Sequence, residues 1–185
     1  MRKSKSAARQ AGSAAYLHDR PGFLIRRAHQ IATSVFVEIC REEGLTPSQY
    51  GVLYMLQHEG PSDQSAIARL VGLDRSTTGL VIRGVAARGL LRKQPSLEDR
   101  RRSVLTLTPR GHALLLRCEP LAEDAKGALL AAFTAAEGRE FLRLLKKFTS
   151  TNNHLSRARV EPGKRSPKMA QETAKRRVPS SSSGF

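Results

Sequence analysis

From Asp99 to Gly111 the chain reads Asp-Arg-Arg-Arg-Ser-Val-Leu-Thr-Leu-Thr-Pro-Arg-Gly, so three consecutive guanidinium groups precede a segment of alternating character. A guanidinium is permanently charged and offers a planar fork of donors that matches phosphate oxygens, which suits Arg100, Arg101 and Arg102 to a polyanion. Val104, Thr106 and Thr108 then alternate with Leu105 and Leu107, the period-two pattern of a strand with one buried face. The arginines are therefore expected at the tip of a short hairpin that Leu105 and Leu107 anchor to a core. A carboxylate at that tip would repel phosphate, so the expected role of Asp99 is to brace the turn by pairing with Arg101.

Upstream, Asp74 is an N-cap candidate for a helix running to about Arg88, ahead of Gly89. A helical wheel sets Thr77, Val81, Gly84 and Val85 on one side and Arg75, Ser76, Gly79, Arg83 and Ala86 on the other. The second face is small, polar and basic, which fits a major groove where hydroxyls and guanidiniums meet base edges. Arg75, Ser76, Thr77, Thr78, Gly79 and Arg83 are the residues expected to contact DNA. Ile82 also falls on that face, against a thymine methyl or the hairpin. Ser62 or Asp63 caps a preceding short helix with Ala66, Ile67, Leu70 and Val71, ended by Gly72, so the pair reads as a helix-turn-helix. With the hairpin directly after it, the order is that of a winged helix.

Further helices must carry this unit. Pro21-Gly22 opens one with Leu24, Ala28, Ile31, Val35 and Ile39 at helical spacing, widened by Ile25, Ala32 and Phe36. Thr46-Pro47-Ser48-Gln49 is a capping box for a helix through Tyr50, Leu53, Tyr54 and Leu56 to about His58, stopped by Gly60-Pro61. Thr108 caps a helix with Pro109 at its first position, which Pro120 is expected to bend or interrupt. Thr134 to Glu137 is a second capping box, opening a helix with Phe141, Leu142, Leu144, Leu145 and Phe148. The predicted fold class is mainly α with a small β-hairpin wing.

Composition agrees. Hydrophobic residues make up 39% of 185 residues and aromatics 5% with no Trp, favouring an aliphatic helical core over a β-sandwich. The net charge of +16 favours a polyanionic partner through counterion release, yet residues 1–20 hold net +4 of it and residues 155–185 net +6. Both ends are expected to be disordered basic tails, the second ending in a Ser-rich run. No apolar run approaches the roughly 18 residues of a membrane span, so a cytoplasmic location is expected. Cys40 and Cys118 lack the spacing of a disulfide framework or a CxxC site; each is either a small buried hydrophobe or a redox-sensing thiol. The five histidines show no metal-ligand spacing, no cofactor is implied, and no nucleophile elbow, phosphate loop or catalytic carboxylate pair is present, so the chain is not read as an enzyme.

The pattern Asp99-x-Arg101-x-x-x-Leu105-x-Leu107-Thr108-x-x-Gly111 resembles the wing signature of the MarR family of bacterial winged-helix regulators. Asp74-Arg75-Ser76-Thr77-Thr78 is similar to the start of that family's recognition helix, and Leu45-Thr46-Pro47-Ser48-Gln49-Tyr50 to its second helix. The resemblance covers about residues 21–152. Residues Pro21 to Gln30 are similar to regulators of aromatic-compound catabolism within it. It implies a homodimer with dimerisation helices at about 21–43 and 109–154, a DNA-binding lobe at about 46–108 within a domain of 21–154, and double-stranded DNA as partner. It also implies an effector pocket between the two regions. Arg27, His29, Phe36, Tyr50, Tyr54 and His58 are candidates to hold an aromatic acid or thioester there, against the alternative of ordinary packing. The expected function is a ligand-released repressor on a pseudo-palindromic operator. The alternatives are a sequence-tolerant architectural DNA binder driven by its tails, or a thiol-based redox regulator.

Overall fold

The computed structural model describes residues 14–95, 103–161 and 163. Its elements in order are helices α1 (Ala14–His18), α2 (Pro21–Ile39) and α3 (Pro47–Glu59), strand β1 (Ser62–Asp63), helices α4 (Gln64–Val71) and α5 (Arg75–Ala87), strands β2 (Leu91–Pro95) and β3 (Ser103–Leu107), and helices α6 (Pro109–Leu130) and α7 (Ala135–Thr151). A 3-10 turn, Asn153–Leu155, follows.

The helix starts are chemically explicit. Thr46 and Thr134 each accept from the backbone three residues on, while Gln49 and Glu137 reach back to the cap N–H, so both capping boxes form. Asp63, Asp74 and Thr108 cap α4, α5 and α6 through their side chains. Each such cap contributes about 1 kcal/mol.

Three features depart from expectation. α1 forms within the segment expected to be a tail; the Arg20 guanidinium lies 4.6 Å from the Tyr16 ring centroid and the His18 and Phe23 rings meet at 4.7 Å, which ties it to α2. The sheet has three strands in the order β1-β3-β2, with Ser62 opposite Leu105 and Asp63 opposite Val104. α6 runs uninterrupted through Pro120. Pro120 is exposed, and Leu114, Leu115, Cys118 and Ala125 bury the other side, so packing outweighs the missing backbone hydrogen bond.

The core gathers Leu45, Val52, Leu53, Leu56, Ile67, Val85, Leu90, Leu105 and Leu115 from α3 to α6 and the sheet, with Phe36 and Cys40 joining from α2. By contrast, α7 buries only Gly138, while Phe141, Leu144, Leu145 and Phe148 are exposed. Leu24, Ile25, Ile31 and Val37 on α2 are exposed as well. The two ends of the chain thus present apolar faces that the described residues of one copy leave open.

Candidate nucleic-acid interface

α5 is fixed at both ends. At its start the Asp74 carboxylate accepts from Thr77 N at 2.9 Å and from Thr77 Oγ1 at 2.7 Å, and these bonds hold its pKa below the ordinary carboxylate value. Just past its last turn, Arg88 donates to the carbonyls of Gly44 at 2.7 Å and Glu43 at 2.8 Å. Glu43 in turn accepts two bonds from Arg117 of α6, at 2.8 and 2.9 Å, which lower its pKa. The bidentate pair and the Arg88 clamp link the recognition unit to α6 through the loop after α2.

The exposed stripe of α5 is Arg75, Ser76, Leu80, Arg83 and Ala87. Thr77 is half-buried with its hydroxyl committed to Asp74. Thr78 is fully buried and its Oγ1 donates to the Asp74 carbonyl at 2.7 Å, so it faces away from any groove. Gly79 is buried too, where a Cβ would come within 3.4 Å of Gln64 Nε2 on α4. Ile82 and Val85 complete the inner face. The wheel therefore needs correcting: α5 packs on α3 and α4 through Thr78, Gly79, Ile82 and Val85, and the small residues serve helix approach. Leu80, 63% exposed between Ser76 and Arg83, was missed because an aliphatic residue reads as core.

β2 and β3 form the wing stem, paired from Leu91 with Leu107 to Pro95 with Ser103. The connection, with Asp99, Arg100, Arg101 and Arg102, lies outside the described residues. Leu105 is fully buried and Leu107 packs against the core, as anchors should. The joint between wing and α6 explains the signature residues. Thr108 Oγ1 donates to the Gly89 carbonyl at 2.7 Å and accepts from Gly111 N at 3.0 Å. A Cβ at position 111 would lie 2.0 Å from the Leu90 carbonyl oxygen, so only glycine allows α6 this close to the wing.

The candidate effector residues divide. Phe36, Tyr50, Tyr54 and His58 form a ladder of rings with successive centroids 5.5, 5.8 and 4.2 Å apart. Burial pushes the Tyr50 phenol up to about 12, with Tyr54 and Glu119 nearby adding to it. His58 Nε2 is buried without a hydrogen-bond partner among the described residues. Arg27 and His29 do not join this ladder. Both are exposed, Arg27 donates to Gln30 at 3.1 Å, and they precede Phe36 by about 10–14 Å along α2 at 1.5 Å per residue.

Cys40 and Cys118 are fully buried and free. Desolvation raises both thiols, Cys118 to about 11, which opposes the thiolate a redox sensor needs. Among the described residues no cluster of three metal-ligating side chains occurs, and no helix is long and apolar enough to cross a membrane.

The family model described as MarR matches residues 45–103, from the start of α3 into β3. The chain is 29% identical over 136 residues to the HTH-type transcriptional repressor NicR of Pseudomonas putida, covering 74% of this chain and 86% of NicR. The structure of Bordetella bronchiseptica BpsR, whose DNA binding is regulated by 6-hydroxynicotinic acid, superimposes with a TM-score of 0.67 at 30% identity, covering 71% of this chain and 94% of BpsR. Streptomyces coelicolor PcaV in complex with its natural ligand gives a TM-score of 0.67 at 34% identity, covering 72% and 94%. With the helix-turn-helix, the wing stem and the Thr108–Gly111 joint all in place, the chain belongs to the MarR family of DNA-binding transcriptional regulators.

Proposed function

We propose that the chain is a ligand-responsive repressor that binds a pseudo-palindromic operator as a homodimer. The observation that carries this reading is the exposed stripe Arg75, Ser76, Leu80 and Arg83 on a helix whose other face is locked into the core. Such a stripe offers guanidinium and hydroxyl groups to base edges and an aliphatic group to thymine methyls. Two copies joined through the exposed apolar faces of α2 and α7 present two such helices, about one DNA turn of 34–36 Å apart. In the wing, Arg100, Arg101 and Arg102 meet phosphates or the adjacent minor groove, and Asp99 braces the turn.

The effector is a small aromatic or acidic molecule, a carboxylate or its thioester. Supporting this are the ring ladder Phe36, Tyr50, Tyr54 and His58, with the buried Nε2 of His58 as an anchor in want of a partner, and the 6-hydroxynicotinic acid that regulates the relative BpsR. A ligand releases DNA only through a higher affinity for the conformation that does not fit the operator. The test is fluorescence anisotropy of the full chain on its operator, titrated with hydroxylated aromatic acids and their thioesters. Release by at least one compound, weakened by His58→Phe, is expected. Tight operator binding that no such compound reverses contradicts the proposal. Removal of residues 1–20 and 164–185 leaves operator preference in place, whereas a tail-driven architectural binder would lose nearly all binding.

A further inference from the structure

Residues 152–161, which follow α7, stay on the domain. Asn153 clamps both polar groups of one residue, donating to the Val160 carbonyl at 2.9 Å and accepting from Val160 N at 2.9 Å. Between them Ser156 Oγ bonds both N and O of Ala158, tightening the loop. The segment then reaches the helix-turn-helix itself. Glu161 N donates to the Arg69 carbonyl at 3.0 Å, and the Glu161 carboxylate pairs with Arg69 Nε at 2.8 Å. Val160 lies over Gly72, the left-handed turn residue (φ 66°) between α4 and α5. A Cβ there would come within 2.7 Å of Val160 Cγ2. Residues 156–161 are thus a strap on the recognition unit, where the sequence suggested a disordered tail.

The strap and the two helices enclose an open cleft of about 320 Å³, with Gln64, Arg69, Asp74, Arg75, Arg157 and Arg159 on its walls. Its charges do not cancel. Four guanidiniums, Arg69, Arg75, Arg157 and Arg159, face two carboxylates, Asp74 and Glu161, so the cleft stays net positive; Glu161 is paired with Arg69, while Arg75, Arg157 and Arg159 form no ion pair among the described residues. In a docked helix-turn-helix the first helix crosses the DNA backbone and the start of the second meets the bases. A cleft between α4 and the start of α5 therefore opens beside the phosphates. We propose that the C-terminal strap is part of the DNA interface, holding Arg157 and Arg159 against phosphates that flank the half-site. This rests on the DNA-binding reading above.

The test measures operator affinity of the full chain against salt. Two phosphate contacts per protomer, four per dimer, contribute about 3.6 to the slope of log K on log[salt]. A fourfold rise in salt should therefore cost the wild type roughly 150-fold more affinity than it costs R157Q/R159Q. The loss should be equal on operator and scrambled duplex, because phosphates carry no sequence. Asn153→Ala keeps both arginines but frees the strap, and its slope should fall toward that of the double variant. Both variants should melt as the wild type does. An unchanged slope in R157Q/R159Q overturns the proposal. A reduced slope there with a wild-type slope in Asn153→Ala overturns it too, since the arginines then act as ordinary tail charge. A wild-type chain with no operator preference would instead refute the DNA-binding reading itself.

Discussion

Replacing Gly111 by alanine tests whether the wing is held to α6 by a true close approach. The added Cβ would sit 2.0 Å from the Leu90 carbonyl oxygen, 2.9 Å from the Leu90 carbonyl carbon and 2.9 Å from Leu107 Cδ1. A tolerable carbon–oxygen contact is about 3.3 Å, so backbone must move by roughly 1 Å. The displaced oxygen accepts from Thr108 N at 3.1 Å and from Thr108 Oγ1 at 3.1 Å. Overpacking of this kind costs about 1–3 kcal/mol, and weakening two hydrogen bonds adds about 1 kcal/mol each, so a loss of about 3–5 kcal/mol is expected. The assay is urea unfolding at fixed protein concentration, because association contributes to apparent stability. Gly127→Ala in the same helix is the control. Its Cβ meets nothing within 4 Å, and it should be neutral or stabilising by up to about 1 kcal/mol. A loss below about 1 kcal/mol for Gly111→Ala would refute the reasoning.

Leu80→Ala should weaken operator binding while leaving the salt slope unchanged, because Leu80 contributes apolar contact and no charge. Deoxyuridine in place of the contacted thymine in both half-sites should reproduce that loss, with no further loss when the two changes are combined. Glu43→Gln should flatten the acid limb of stability. The folded-state pKa of Glu43 is depressed by Arg117, so its contribution is present above the ordinary carboxylate pKa and disappears as pH falls through the lowered value. Unfolding midpoints near neutrality and in mild acid should therefore converge in the variant; an equally steep acid loss refutes that role.

The helix starts were legible because caps are local: Thr46, Asp63, Asp74, Thr108 and Thr134 each accept from the backbone three residues on. The wing stem was legible from the alternation around Leu105. What escaped depends on long-range packing. β1 is two residues paired forty residues downstream, too short to leave a period. Which face of α5 is buried depends on α3 and α4, so Thr78 and Leu80 exchanged roles relative to their polarity. The strap escaped for a compositional reason, since its arginines and serine read as disorder, while the residues that receive it, Arg69 and Gly72, lie far away in sequence.

The central claim, sequence-specific recognition by two α5 helices in one dimer, is tested most directly by selecting bound duplexes from a random pool with the full chain. The account predicts enrichment of a two-fold pseudo-palindrome with half-sites about one helical turn apart, shifted in base preference by Ser76→Ala and not by R157Q/R159Q. Recovery of unrelated sequences with no shared motif would contradict it.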